Sequence, residues 1–233
     1  MKQVKADFLD FVRHVVNGDV GEVSRRLAVT PALATTASDV GATRQDAATF
    51  FFEEIGHYLY AGDTALHMAA AAFHRPVAKL LVARGANCRA ANRRGDQPLH
   101  YAADAHHWDP AAQAETIEYL LSAGADPNAT NRDGVAPLHR AVRTRSLAAV
   151  RALLEGGADP RASNKAGSTP LHLAVQTTGA SGSGSPRARE QQAGIITLLL
   201  RRGATPADKD GRGKRVDQAA TSEWVRSLLV AGG

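Results

Sequence analysis

Cysteine is nearly missing: Cys88 is the only one in 233 residues. A lone thiol can close no disulfide within the chain, so a reducing compartment is expected. Cys88 follows an apolar run and reads as packed filler, not as a redox centre. Aromatic residues are scarce as well, at 5%. No apolar run approaches the ~18 residues that would suggest a membrane span. The opening residues, Met1 to Phe8, have no long apolar stretch and include Asp7, so a secretory signal is not expected. Chemistry is thinly represented too. There is no Gly-x-Ser-x-Gly elbow, no P-loop, no helical His-x-x-x-His pair and no conspicuous pair of carboxylates. The chain is therefore read as neither an enzyme nor a cofactor protein. It is expected in the cytoplasm, or delivered into a host cell without a classical signal peptide. Its Ala-, Arg- and Gly-rich composition is associated with GC-rich, bacterial coding sequence.

Acidic residues are outnumbered. Lys and Arg total 28 against 23 Asp and Glu, a net charge of +5. Residues 1–60 carry 6 basic and 8 acidic side chains, and the remainder carry 22 and 15. This excess favours acidic partners but is too dilute to point to nucleic acid.

What the chain does have is a repeat. Gly62 to His67 reads Gly-Asp-Thr-Ala-Leu-His, and Gly95 to His100 reads Gly-Asp-Gln-Pro-Leu-His. Gly134 to His139 reads Gly-Val-Ala-Pro-Leu-His, and Gly167 to His172 reads Gly-Ser-Thr-Pro-Leu-His. The four histidines are spaced by 33, 39 and 33 residues. A second marker keeps register with the first: Gly62 to Gly85 and Gly134 to Gly157 are both 23 residues. That second glycine lies in Arg-Gly-Ala-Asn (84–87), Ala-Gly-Ala-Asp (123–126), Gly-Gly-Ala-Asp (156–159) and Arg-Gly-Ala-Thr (202–205). Leucine runs precede it, such as Leu120-Leu121 and Leu198-Leu199-Leu200. Two motifs returning in register mark a repeat architecture.

The pattern resembles the ankyrin repeat, over roughly residues 60–232 with a weaker cap before it. The resemblance implies an all-α solenoid of stacked helix-turn-helix units with short β-hairpin fingers. The residues suit that register. Pro98, Pro137 and Pro170 fall in a helix's first turn, where the missing N–H costs nothing. Thr64 and Thr169 can cap that turn. Gln97 and Ala136 stand in the motif threonine's place and forgo the hydroxyl, and Phe73 and Arg145 replace the usual inter-helix glycine. Asn92 to Gly95, Asn131 to Gly134 and Asn164 to Gly167 read as the tips of fingers. No unit can bury its apolar face alone, so stacking makes the core.

The expected organisation is a degenerate cap over 1–34, an aromatic-rich insertion over 35–60, four repeats (61–93, 94–132, 133–165, 166–209) and a closing unit over 210–233. The insertion holds Phe50, Phe51, Phe52, Tyr58 and Tyr60. It is expected to fold back as a short helix that plugs the groove or the first finger; the alternative is an exposed aromatic docking element. Repeats two and four carry extra residues between their helices, at 105–111 and 177–189. The second stretch, rich in Gly and Ser, reads as a mobile loop. It lacks the Lys-Ser/Thr and the strand of a phosphate-binding loop.

His67, His100, His139 and His172 invite a metal reading. Adjacent helices stack about 8–10 Å apart, and ligands of one zinc lie within about 2.1 Å of it, so these histidines cannot share an ion. Their expected work is hydrogen bonding between finger and helix. His106-His107 with Asp109 reads as a surface loop. No metal is expected.

The resemblance also implies where a protein partner would lie: across the finger tips and inner helices. Carried onto this sequence, the fingers give Arg93, Arg94, Asp96, Arg132, Asp133 and Lys165. The inner helices give Ala71, Ala72, Asp104, Arg143 and Gln176, with Met68, Tyr101 and Arg140 directly after the histidines and expected to be partly buried. The groove so drawn is basic at Arg93, Arg94, Arg132, Arg143 and Lys165, which suits an acidic segment of another protein. A monomer is expected, with no nucleic acid and no membrane as partner. An alternative is a regulator or secreted effector gripping its target through 50–60 or the loops at 105–111 and 177–189.

Overall fold

In the computed structural model, residues 2–104, 109–176 and 184–231 are described, with side chains from Asp7 onward. The chain divides into two compact units, Met1–Asp126 and Pro127–Gly233. Each is a stack of helical pairs.

The first unit opens with α1 (Lys2–Val16) and α2 (Val20–Val29). Phe8, Phe11, Val12, Val15 and Val16 share one face of α1, and all are buried. Asp19 caps α2, its carboxylate accepting from the Glu22 N–H at 3.0 Å. Two further pairs follow: α3 (Ala65–Ala71) with α4 (Arg75–Ala83), and α5 (Pro98–Ala102) with α6 (Pro110–Ser122). Helix α1 packs on α3 and α3 on α5, forming an inner row; α2, α4 and α6 form the outer row. Ala69, Ala70 and Ala71 are buried and small, which lets the inner helices approach closely. Leu27, Leu66, Leu81, Leu99 and Leu120 fill the space between the rows.

The second unit repeats the scheme with α7 (Pro137–Arg143) and α8 (Leu147–Glu155), α9 (Pro170–Ala174) and α10 (Pro186–Arg201), and α11 (Val216–Ala219) and α12 (Glu223–Ala231). Helix α7 packs on α9 and α9 on α11; α8 packs on α10 and α10 on α12. Gly194, inside α10, has a physical reason. A Cβ there would lie 2.7 Å from Leu147 Cδ2, so the leucine side chain would have to shift to admit one.

Phe73 and Arg145, where glycine is usual, do not alter the inter-helix turns. Both adopt the left-handed conformation that glycine would, with φ of 55° and 59°.

The fingers share one local design. Asn92 Oδ1 accepts from the N–H groups of Arg94 and Asp96, at 2.8 and 3.1 Å. Asn131 does the same for Asp133 and Val135, Asn164 for Ala166 and Ser168, and Asp210 for Arg212 and Lys214. A short side-chain acceptor thus closes each of these four tips. Neighbouring fingers touch through the backbone: Arg93 N–H donates to Ala61 O at 3.0 Å in the first unit. In the second, Lys165 N–H donates to Asp133 O at 3.0 Å and Gly211 N–H to Ala166 O at 2.9 Å.

The aromatic insertion belongs to the first finger. In the second finger, the bonds Asn92 N–H to Asp96 O and Gly95 N–H to Asn92 O enclose a tight turn. In the first finger the matching bonds, Ser38 N–H to Asp63 O and Gly62 N–H to Ser38 O, enclose residues 39–61. The expected short helix is not found there. The segment forms an antiparallel hairpin, β1 (Phe51–Phe52) and β2 (His57–Tyr58), joined through a 310 turn at Glu53–Ile55. The run of Phe and Tyr favours paired extended backbone over a helix, and Gly56, at φ 58°, supplies the left-handed residue that ends the turn.

The loop at 105–111 lies outside the described residues over 105–108, and the loop at 177–189 over 177–183. His106, His107 and the Ser181–Ser183 stretch fall there. The remaining ends of both stretches are helical instead of loop. Asp109 caps α6 through the Ala112 N–H, and Ser185 caps α10 through the Ala188 N–H, so Arg187 and Arg189 sit on the first turns of α10.

Candidate protein-interaction surface

The motif histidines build the frame. His67 Nδ1 accepts from the Thr64 N–H at 3.0 Å. Its proton therefore sits on Nε2, which donates to Asp96 O, on the next finger, at 3.1 Å. His139 accepts from Ala136 N–H and donates to Ser168 O at 3.1 Å. His172 accepts from Thr169 N–H and reaches Lys214 O at 3.3 Å. His100 accepts from Gln97 N–H at 3.1 Å. Each ring ties the start of its helix, and three of them are bonded to the finger that follows. Thr169 Oγ1 also accepts from His172 N–H. Ala136 offers no such acceptor, and Gln97 leaves its Oε1 buried without a partner. Burial, against two backbone acceptors, holds the His139 imidazole below its ordinary value.

The residues assigned to the partner surface divide cleanly. Arg93, Arg94, Arg132, Asp133, Arg143, Lys165 and Gln176 are exposed. Asp96, Tyr101, Asp104 and Arg140 are buried, so they are not available as contact residues on the surface. The inner-helix position four residues after each histidine makes the contrast sharp. It is Ala71 at 0% exposure and Asp104 at 6% in the first unit. In the second unit it is Arg143 and Gln176, both facing solvent.

Beneath the hairpin lies a polar network that sequence reasoning missed. Asp63 is fully buried, and its carboxylate accepts from Tyr60 N–H at 2.6 Å, Asn92 Nδ2 at 2.9 Å and Tyr101 Oη at 2.8 Å. Burial pushes this carboxyl upward despite those donors. The one available hint was a tyrosine after His100, where the other copies have Met68, Arg140 and Leu173. A buried Tyr hydroxyl needs a partner.

The hairpin covers this network. The His57 ring lies 4.5 Å from that of Tyr101. Phe50, Phe52, Ile55, His57 and Leu59 are all buried. Only Phe51 among the phenylalanines of the segment is exposed, with its ring 4.7 Å from Tyr58. The segment is therefore split: Phe50 and Phe52 join the core, whereas Phe51 is exposed and Tyr58 and Tyr60 are half-buried. The arginines at the tip of the second finger are drawn into the same assembly. Arg93 Nη2 donates to Ala42 O at 3.3 Å, and the Arg94 guanidinium lies 5.2 Å from the Tyr60 ring centre.

Cys88 is buried, and burial pushes its thiol up, away from the reactive thiolate. Among the described residues no group of three His, Cys, Asp or Glu is placed to hold a metal ion. No described helix is long and apolar enough to cross a membrane. Charge is split between the units. Met1–Asp126 has 12 Lys and Arg against 15 Asp and Glu, a net of −3; Pro127–Gly233 has 16 against 8, a net of +8.

A rigid repeated frame of buried histidines and leucines, with variable side chains held out on finger tips, defines a helical-repeat scaffold. The family described as ankyrin repeats (3 copies) matches the chain over residues 41–111 and 110–210. The chain belongs to the ankyrin-repeat family, whose repeats are protein–protein interaction modules. No curated protein matches it.

Proposed function

We propose that this chain is a non-catalytic, monomeric scaffold that binds an acidic segment of another protein across its finger tips and inner helices. One observation carries it. Within each repeat the residues that build the frame are buried, whereas Arg132, Asp133, Lys165 and Arg212 on the tips are solvent-facing and predominantly cationic. A surface that varies from finger to finger on a constant frame selects a partner by charge and shape. The hydroxyl–imidazole pairs Thr64–His67 and Thr169–His172 are buried in the frame, and the carboxylate of Asp63 lies buried beneath the hairpin. Site-specific photo-crosslinking in intact cells tests the proposal. A crosslinker at Lys165 is expected to capture a discrete protein, while one on the outer helix at Arg151 captures none. Capture from Arg151 alone would move the interface to the outer helices and end this proposal.

A further inference from the structure

In the first unit the chain itself covers the inner face at Tyr101. The long first finger lays its hairpin over Tyr101, and the two tip arginines are spent on it: Arg93 on the Ala42 carbonyl and Arg94 on the Tyr60 ring. The inner-helix positions Ala71 and Asp104 are buried. The second unit presents the opposite picture. Arg143, at the end of α7, and Gln176, just past α9, face solvent. Three fingers, bonded tip to tip, hold out Arg132, Lys165, Arg212 and Lys214, all exposed. The side chains of Arg132 and Lys165 have no partner among the described residues.

We infer that the finger edge of the unit Pro127–Gly233 alone binds the acidic segment, and that the unit Met1–Asp126 takes no part in recognition; this rests on the protein-binding function proposed above. The edge has a spacing. Stacked helical pairs repeat about every 8–10 Å, so Arg132, Lys165 and Arg212 present about one cation per 10 Å. An extended peptide advances about 3.3 Å per residue. Acidic residues three apart along an extended segment therefore meet successive fingers. A nucleic-acid strand carries a charge about every 3.4 Å, far denser than this edge. The occupant that fits is an extended protein segment with an acidic residue at every third position.

The test uses the full chain and two fluorescent ten-residue peptides. One has glutamate at every third position; the other has the same glutamates contiguous. The spaced peptide is expected to bind more tightly than the contiguous one and than a ten-nucleotide single-stranded DNA. The variant R132E/K165E/R212E is expected to lose about tenfold or more in affinity. R93E/R94E and the outer-helix variant R151E/R201E/R202E, the latter matched in net charge to the finger variant, are expected to stay within about twofold. Circular dichroism melts keep folding failures apart from binding losses. An equal loss in the outer-helix variant would reduce the effect to net charge and overturn the inference. So would a greater loss in R93E/R94E, tighter binding of DNA or of the contiguous peptide, or no binding of the spaced peptide. The crosslinking experiment is independent of these outcomes, so a partner captured at Lys165 would leave the broader function standing even where this inference falls.

Discussion

The buried imidazole of His139 makes its repeat sensitive to acid, because its Nδ1 already accepts the Ala136 N–H and has no room for a proton. In the unfolded chain the ring titrates at the ordinary value of 6.5, and in the folded chain it titrates lower. Between the two values the unfolded state binds the proton and the folded state does not, so stability falls as pH drops below about 6.5. The urea midpoint of the wild type is expected to decline from about pH 7 to about pH 5. In His139→Gln the decline is expected to be shallower, with about 1–3 kcal/mol already lost at neutral pH from broken buried hydrogen bonds. A parallel pair of curves would show that His139 does not contribute. The two left-handed residues make a second prediction with opposite signs. Arg145 is partly exposed, and its guanidinium donates to Gln176 O at 2.9 Å near the surface. Arg145→Gly relieves about 1 kcal/mol of backbone strain and is expected to raise the melting temperature slightly. Phe73 sits in the same backbone conformation but is 4% exposed. Phe73→Gly gains the same relief yet loses a packed ring, worth about 3–5 kcal/mol, and is expected to lower it.

At the level of elements, the hairpin 51–58 separates what sequence can show from what it cannot. The helical pairs were legible because leucines and alanines recur in register with the Gly-x-x-Pro-Leu-His copies, and each copy carries its own start and stop signals. The closing asparagines of the fingers, Asn92, Asn131 and Asn164, were legible as turns for the same reason. The hairpin had no second copy to compare with. A dense run of aromatics signals burial or binding with equal force, and a segment of this length carries no periodicity to tell helix from strand. Of the buried contact residues, Tyr101 lies under this hairpin, which has no counterpart in the other repeats, and the burial of Asp96, Asp104 and Arg140 was not legible in the pattern either. Adjacent phenylalanines in β1 now make a test. Phe52 faces inward and is buried, while Phe51 points outward. Phe52→Ala is expected to cost about 3–5 kcal/mol in equilibrium unfolding, and Phe51→Ala less than about 0.5 kcal/mol. Similar small costs at both positions would mean that the hairpin stands away from the inner helices.

Across the molecule, the unequal charge of the two units has a consequence beyond binding. A net of +8 over Pro127–Gly233 means like charges on helices and fingers repel each other in the folded state, whereas −3 over Met1–Asp126 is close to balance. Self-repulsion of this kind destabilises a compact state, and salt weakens it by shortening the screening length from about 30 Å at 0.01 M to about 8 Å at 0.15 M. The ion pairs resolved on the outside are too exposed to reverse the sign. Arg215–Asp217 in the second unit and Arg75–Glu115 in the first are surface pairs, each worth at most about 1 kcal/mol. Repeat stacks open locally, so the two units can be followed separately in the intact chain. Amide hydrogen exchange read by mass spectrometry is therefore expected to slow on adding salt in peptides from 127–176 and 184–231, and to change little in peptides from 7–104. The uneven response follows from the count of arginines and lysines alone. Equal slowing in both units would show that the charges of the second are spread too widely to matter for its stability, and would leave their crowding at the finger edge as the only place where they act together.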